Sequence, residues 1–180
     1  MEEWKNLTMG IRQNKNKAVK QQNQIRDFLR LGFGALIDND DITSRPMNNP
    51  GSDIILSPHV RQFFPFYIEC KWYEDKGWKY SAKNIYLDVK KKAFDEGLHP
   101  MLVRKKNFTH NQFFCELDVI LAIHSRILME GKLVHYPTFN DVLVLSNPEQ
   151  ICISSTDNII QFNEFQFFKI MSCLMKSFSL

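Results

Sequence analysis

The chain predicts an α/β domain, a mixed sheet with helices on its faces. Three observations carry that expectation. Short runs rich in β-branched and aromatic residues alternate with two stretches of helical periodicity. Pro/Asn/Gly clusters punctuate the runs. The length of 180 residues suits one domain, or one domain with an appended subdomain, and an apolar fraction of 44% with fifteen Phe supplies a core.

The elements follow in order. Over residues 17–31, Ile25, Phe28, Leu29 and Leu31 recur at helical spacing between polar residues, and Gly32 or Gly34 ends the helix. Residues 40–45 (DDITSR) read as a first strand, followed by the turn PMNNPG. Residues 53–57 and 64–72 read as the second and third strands, joined by a connection too long for a tight hairpin. A helix over 80–96 turns Ile85, Val89 and Phe94 inward and stops at Gly97. Residues 100–104 and 113–117 form two further strands around the polar turn KKNFTHN, and a helix is expected over 117–129. The tail adds VHYP, DVLVL and ICISS, then the Phe-rich amphipathic run FNEFQFFKIMSCLM. In that run Phe162, Phe165, Phe167, Phe168, Ile170 and Met171 either form a dimer surface or cap the sheet. The expected division is an arm over 1–16, a core over 17–129 and a C-terminal extension over 130–180.

A net charge of +3 is only mildly basic, but it is uneven. Lys15, Lys17 and Lys20, Lys90 to Lys92, and Arg104 with Lys105 and Lys106 form three clusters. Each reads equally as a phosphate-neutralising patch or as a solvated face. Cys70, Cys115, Cys152 and Cys173 are far apart, without CxxC or paired-His spacing. They read as free thiols, which excludes a zinc or disulfide frame and fits a reducing cytoplasm. The start lacks the apolar region of a signal peptide, and no stretch is long and apolar enough to span a bilayer, so a cytoplasmic, membrane-free protein is expected.

The chemistry concentrates in PGSDIILSPHVRQFFPFYIECKW. Strand side chains alternate faces, so Glu69 and Lys71 point one way and Ile68 and Cys70 the other. On the preceding strand, Asp53 shares a face with Ile55. Glu-x-Lys alone is cheap: the chain holds it four times, at Glu3/Lys5, Glu69/Lys71, Glu74/Lys76 and Glu130/Lys132. Only the second copy lies in an apolar β run behind another run carrying an acid, and its bland reading is a surface ion pair. Two carboxylates, Asp53 and Glu69, with the Cys70 carbonyl, are an oxygen-only set suited to Mg²⁺ or Mn²⁺. Lys71 beside them would orient a water or stabilise negative charge developing on a phosphate. Ser52 reads as a turn residue.

This segment resembles the PD-(D/E)xK nuclease superfamily over about residues 17–117. More closely, SRPMNNPGSDIILSP…FPFYIECKW is similar to phage-encoded endonucleases related to Holliday-junction resolvases, where an SRP…G-(acid)-D-I-L-SP…FP-x-x-IECK segment recurs. The resemblance implies a restriction-endonuclease-like αβββαβ core with a C-terminal extension. It implies metal-dependent DNA cleavage by a homodimer in a bacterial host cell, with Asp53, Glu69 and Lys71 as the site. Branched DNA, cut during recombination or repair, is the substrate it suggests. A restriction-like nickase or exonuclease on the same core, or a non-catalytic DNA-binding protein, are the alternatives. Relatives carry an acid on the first helix; the matching position here is Gln24, with Asp27 one turn on as the other candidate. Relatives also place a polar or basic residue on the next helix, for which Lys79 and Lys83 are candidates.

For DNA contact, Lys17, Lys20, Ser44 and Arg45 are candidates beside the site, with turn stabilisation the competing role for the last two. Trp72, Tyr73 and Trp78 crowd the loop after the Lys71 strand, where they either stack on an unpaired base or pack over a helix. The five His share no metal-ligand spacing, and no small-molecule cofactor is expected.

Overall fold

Two apolar faces of one sheet organise the chain. The computed structural model describes residues 2–73, 82–120 and 159–168, those up to residue 14 by their backbone alone. Trp78, Lys79, Cys152, Cys173, Ile170, Met171, most of the expected 117–129 helix and the VHYP, DVLVL and ICISS segments lie outside the described residues.

Helix α1 spans Glu2–Phe33 and short turns lead to β1 (Ile42–Ser44). Next come β2 (Ile54–Leu56), the one-turn α2 (Pro58–Arg61), β3 (Phe66–Tyr73), α3 (Ala82–Asp95), β4 (His99–Lys106), β5 (Gln112–Glu116) and β6 (Ile159–Asn163). The six strands form one mixed sheet in chain order; β3 and β4 run parallel and every other neighbouring pair is antiparallel. Parallel neighbours cannot be joined by a tight turn, and α3 is the crossover between β3 and β4. The α/β class with a mixed, helix-flanked sheet is therefore as the sequence predicts.

The period-2 alternation sorts the layers. Phe66, Ile68 and Cys70 of β3, Met101 and Val103 of β4, and Phe113 and Cys115 of β5 pack against Ile25, Leu29 and Phe33 of α1. Tyr67, Leu102 and Phe114 on the other face meet Tyr86, Val89 and Ala93 of α3. Two apolar helix positions, Leu31 at the helical spacing of α1 and Phe94 expected inward on α3, lie outside the buried stripes. Leu31 is 72% exposed and Phe94 84% exposed. The buried α1 stripe steps by four, through Ile25, Leu29 and Phe33, which turns position 31 outward. On α3, Ala93 lies four after Val89 and takes the inward place, leaving Phe94 about 100° further round. Gly97 (φ +65) does end α3: its N–H donates to Phe94 O and that of Leu98 to Ala93 O, a Schellman closure.

The Phe-rich tail is split. Ile159, Ile160 and Phe162 are strand residues paired with β5, and helical structure begins only at residue 164. Reciprocal bonds explain the break: Asn163 Oδ1 accepts the Gln166 N–H and Gln166 Oε1 accepts the Asn163 N–H, each at 2.9 Å, as a capping box. Phe167 stacks on Phe113 at 4.2 Å between centroids, so Phe162 and Phe167 lie inside the fold, whereas Phe165 is 64% exposed.

One seam departs from regular pairing. β2 meets β3 at the single pair Ile54↔Ile68. Beyond it the buried Ser52 hydroxyl enters the ladder, accepting the Ile68 N–H at 2.9 Å and facing the carbonyls of Ile54 (2.8 Å) and Ile68 (3.0 Å). Ser52→Ala leaves a buried N–H without its acceptor, and urea denaturation should show a loss of about 1–3 kcal/mol. An unchanged midpoint would remove Ser52 from the seam.

Candidate active site

Asp53 occupies its position because the seam opens there. Its N–H donates to Ile68 O at 2.8 Å, so its backbone still belongs to the β2–β3 edge. Its side chain then does what a strand carbonyl would: Oδ2 accepts the Cys70 N–H at 2.7 Å. Oδ1 accepts from Gln22 Nε2 of α1, also at 2.7 Å. In an extended strand a residue's N–H and C=O face the same side, so the Cys70 carbonyl faces the Asp53 edge. The turn before Asp53 is specific. Gly51 has φ +110, and a Cβ there would lie 2.8 Å from Arg45 Nη2. Arg45 Nε donates to Ser52 O at 2.6 Å, and the Arg45 N–H to Asp53 O at 2.8 Å.

Glu69 and Lys71 share the opposite face of β3 from Cys70. Lys71 Nζ lies 2.6 Å from Glu69 Oε1, with Glu69 buried and Lys71 partly open to solvent. A second ammonium reaches the same oxygen: Lys92, in the last turn of α3, is 3.3 Å away. In register beside Lys71, the buried Arg104 sits with its guanidinium 5.2 Å from the Tyr73 ring.

Electrostatics couple these groups. Burial raises the Asp53 carboxyl above its ordinary value and the Glu69 charge adds to the rise, against lowering by the Cys70 N–H, Lys71 and Gln22. Burial alone would lower Lys71, but its hydrogen bond to Glu69 and the charges of Glu69 and Asp53 outweigh this, and the net shift is upward. Lys71 is thus a fixed cation at neutral pH. The Cys70 thiol points into the core, where burial pushes it well above its usual range and keeps it neutral.

The first-helix position is corrected. Gln24 is exposed and accepts from Lys105 Nζ at 3.0 Å; Gln22, two residues earlier, touches Asp53. Asp27 is also turned outward, paired with Arg26 at 2.7 Å. Helical geometry gives the reason: Gln22 lies three before Ile25 and seven before Leu29, on the buried stripe, whereas Gln24 does not. The same periodicity was a usable signal for Gln22. It was also one for Lys92, which follows the buried Val89 by three on the sheet-facing side of α3.

Of the DNA-contact candidates, Arg45 holds the turn and Ser44 Oγ donates to Asn23 Oδ1 at 3.0 Å, tying β1 to α1. Trp72 donates from Nε1 to Asn107 Oδ1 at 2.8 Å, and Lys105 Nζ stands 5.0 Å over its ring. Lys20 is exposed on α1 beside Asn16, Val19, Asn23, Gln24 and Asp27, which line a surface groove of about 410 Å³. Lys17 is half-buried one turn earlier, and Lys83 lies exposed in the first turn of α3.

The donors fit a hard divalent cation. Asp53, Glu69 and the Cys70 carbonyl offer only oxygen, and the nearest sulfur is neutral and faces away. Burial is the main reason the Asp53 carboxyl is raised, with a smaller push from the Glu69 charge, and a cation bound there would favour its ionised form. Among the described residues no group of three or more His, Cys, Asp or Glu side chains gathers as a metal cluster, so binding there would need the backbone oxygen. No described helix is long and apolar enough to cross a membrane. No family model, no curated protein and no solved structure matches the chain.

An acid whose folded pKa lies above its free value holds its proton more tightly when folded. The contribution of Asp53 is therefore complete below 3.8 and is lost as pH rises through the raised value. Asp53→Asn should flatten that descent in urea denaturation over a pH series, with stability at pH 7 at least equal to the parent. A descent of unchanged size would show that Asp53 is not the group strained by burial.

Proposed function

We propose that the chain is a metal-dependent DNA endonuclease built on a restriction-endonuclease-like αβββαβ core. The observation that carries the reading is the Asp53 carboxylate fixed on the Cys70 N–H at 2.7 Å, on the strand that presents Glu69 and Lys71 as a 2.6 Å pair. The helix, three strands, crossover helix and strand that hold it support the same core.

Phosphodiester hydrolysis needs a positioned water, neutralisation of the phosphate and stabilisation of the leaving oxygen. Asp53, Glu69 and the Cys70 carbonyl would hold Mg²⁺ or Mn²⁺, which when bound polarises the phosphate and acidifies a water. Gln22 fixes the Asp53 carboxylate, so one oxygen keeps its direction. Lys71, held protonated by its acidic neighbours, stabilises developing negative charge and does not serve as a base. Lys92 shares Glu69 with Lys71 and limits the rotation of that carboxylate.

The preferred substrate is branched DNA, above all a four-way junction, resolved in the cytoplasm of a host cell. A two-fold homodimer would set two such sites on opposing strands, as symmetric nicking requires. End-labelled junction, flap and linear duplex incubated with Mg²⁺ test this. Paired nicks on the junction are expected. Asp53→Asn and Lys71→Ala should each lower the rate by about 100-fold or more, and Gln22→Ala should cost more than Gln24→Ala. Equal cutting of linear duplex would favour a restriction-like nickase or exonuclease. No metal-dependent cutting would leave a DNA-binding protein without catalysis.

A further inference from the structure

We propose that the β4–β5 hairpin is a stacking finger for an unpaired nucleobase, with the Phe108 ring as its platform. The inference rests on the reading of the substrate as branched DNA and names the feature of that DNA which is grasped.

Phe108 is 106% exposed, the most open of the large apolar side chains described. Its φ of +62 puts a bulky residue in the left-handed region, where turn chemistry favours Gly or Asn. Neither packing nor backbone preference accounts for a ring there. The hairpin that carries it is nonetheless built. Thr109 Oγ1 accepts the Lys106 N–H at 3.2 Å and donates to Lys106 O at 3.1 Å. Asn107 is anchored to β3 through the Trp72 indole N–H at 2.8 Å. The ring thus projects into water from a braced support.

The strand that leads to the tip is basic. Lys105 and Lys106 lead up to the tip, Lys105 held between Trp72 and Gln24, whereas Arg104 before them is buried over Tyr73. A protein-docking ring sits among apolar neighbours. Here the adjoining residues are Asn107, Thr109 and His110. An open π face at the end of a strand that carries two partly exposed lysines, Lys105 and Lys106, matches a base and its flanking phosphates.

Position links the finger to the reaction. Arg104 is the β4 partner of Lys71, and Phe108 lies four residues further along the chain. Four extended residues reach at most roughly 13 Å, about four nucleotide steps of 3.4 Å. The stacked base should therefore fall within about four nucleotides of the cut.

Binding without divalent cation separates this proposal from catalysis. The full-length chain, Phe108→Gly and Phe108→Trp would be titrated onto a junction carrying 2-aminopurine at the branch and onto intact duplex. Glycine suits φ +62, so Phe108→Gly should melt no lower than the parent. It should nonetheless bind the junction roughly 5- to 100-fold more weakly and lose the quenching of 2-aminopurine. Phe108→Trp should restore both. Equal affinity and quenching for the parent and Phe108→Gly would overturn the finger, as would a change confined to oligomeric state, which would mark a protein contact. If the parent binds through Phe108 yet cuts nothing with Mg²⁺, the endonuclease reading fails and the finger stands. If cutting occurs but Phe108→Gly leaves binding unaltered, the finger alone fails.

Discussion

The Cys70 N–H has a carboxylate as its acceptor where a sheet would ordinarily offer a carbonyl. That one substitution organises the rest. Because Ser52 and Asp53 supply side-chain partners to Ile68 and Cys70, β2 and β3 separate after Ile54↔Ile68 without leaving those N–H groups unbonded. A buried N–H without a partner is costly, so the seam can open only where such replacements exist. The opening sets an acid in the seam between β2 and β3, on the side that the Cys70 carbonyl faces, and lets Gln22 of α1 close the arrangement.

Much of this was legible in the chain. Alternation alone assigned Glu69 and Lys71 to one face and Cys70 to the core, because a strand allows no other arrangement. The mixed sheet followed from element order, and Gly97 marked the end of α3. What escaped was tertiary. Matching a motif chose Gln24, while the side chain that meets Asp53 is selected by the buried stripe of α1, a property of packing. Lys92 was one of three adjacent lysines, and only the crossing of α3 over β3 distinguishes it from Lys90, which pairs with Glu116. Strand β6 was hidden because Phe162 fits an amphipathic helix as well as a strand; the Asn163/Gln166 box decides between them.

A second polar system braces the far side. Gln21 is fully buried and its amide donates to Val103 O at 3.3 Å and Asn111 Oδ1 at 3.2 Å. Asn111 donates in turn to Glu164 Oε1, from both its backbone N–H and its amide. Adjacent glutamines on α1 thus serve two ends of the sheet: Gln21 holds the β4–β5 turn and the helix after β6, and Gln22 holds Asp53. The pairing is one-sided: Gln21 Oε1 is buried and has no hydrogen-bond partner among the described residues, so only the donor side of this amide is fixed by the network.

The strand order also carries a kinetic meaning. Nine residues separate β2 from β3, whereas 42 separate β5 from β6. Chain closure costs about (3/2)RT ln n, roughly 1.9 kcal/mol for the shorter connection and 3.3 kcal/mol for the longer. The difference, about 1.4 kcal/mol, is near a factor of ten in the chance that the two ends meet. The seam that holds Asp53 is thus the local event in folding, and docking of the last edge strand is the distant one. A nascent chain can assemble its acids and lysine while the opposite border of the sheet is still unpaired.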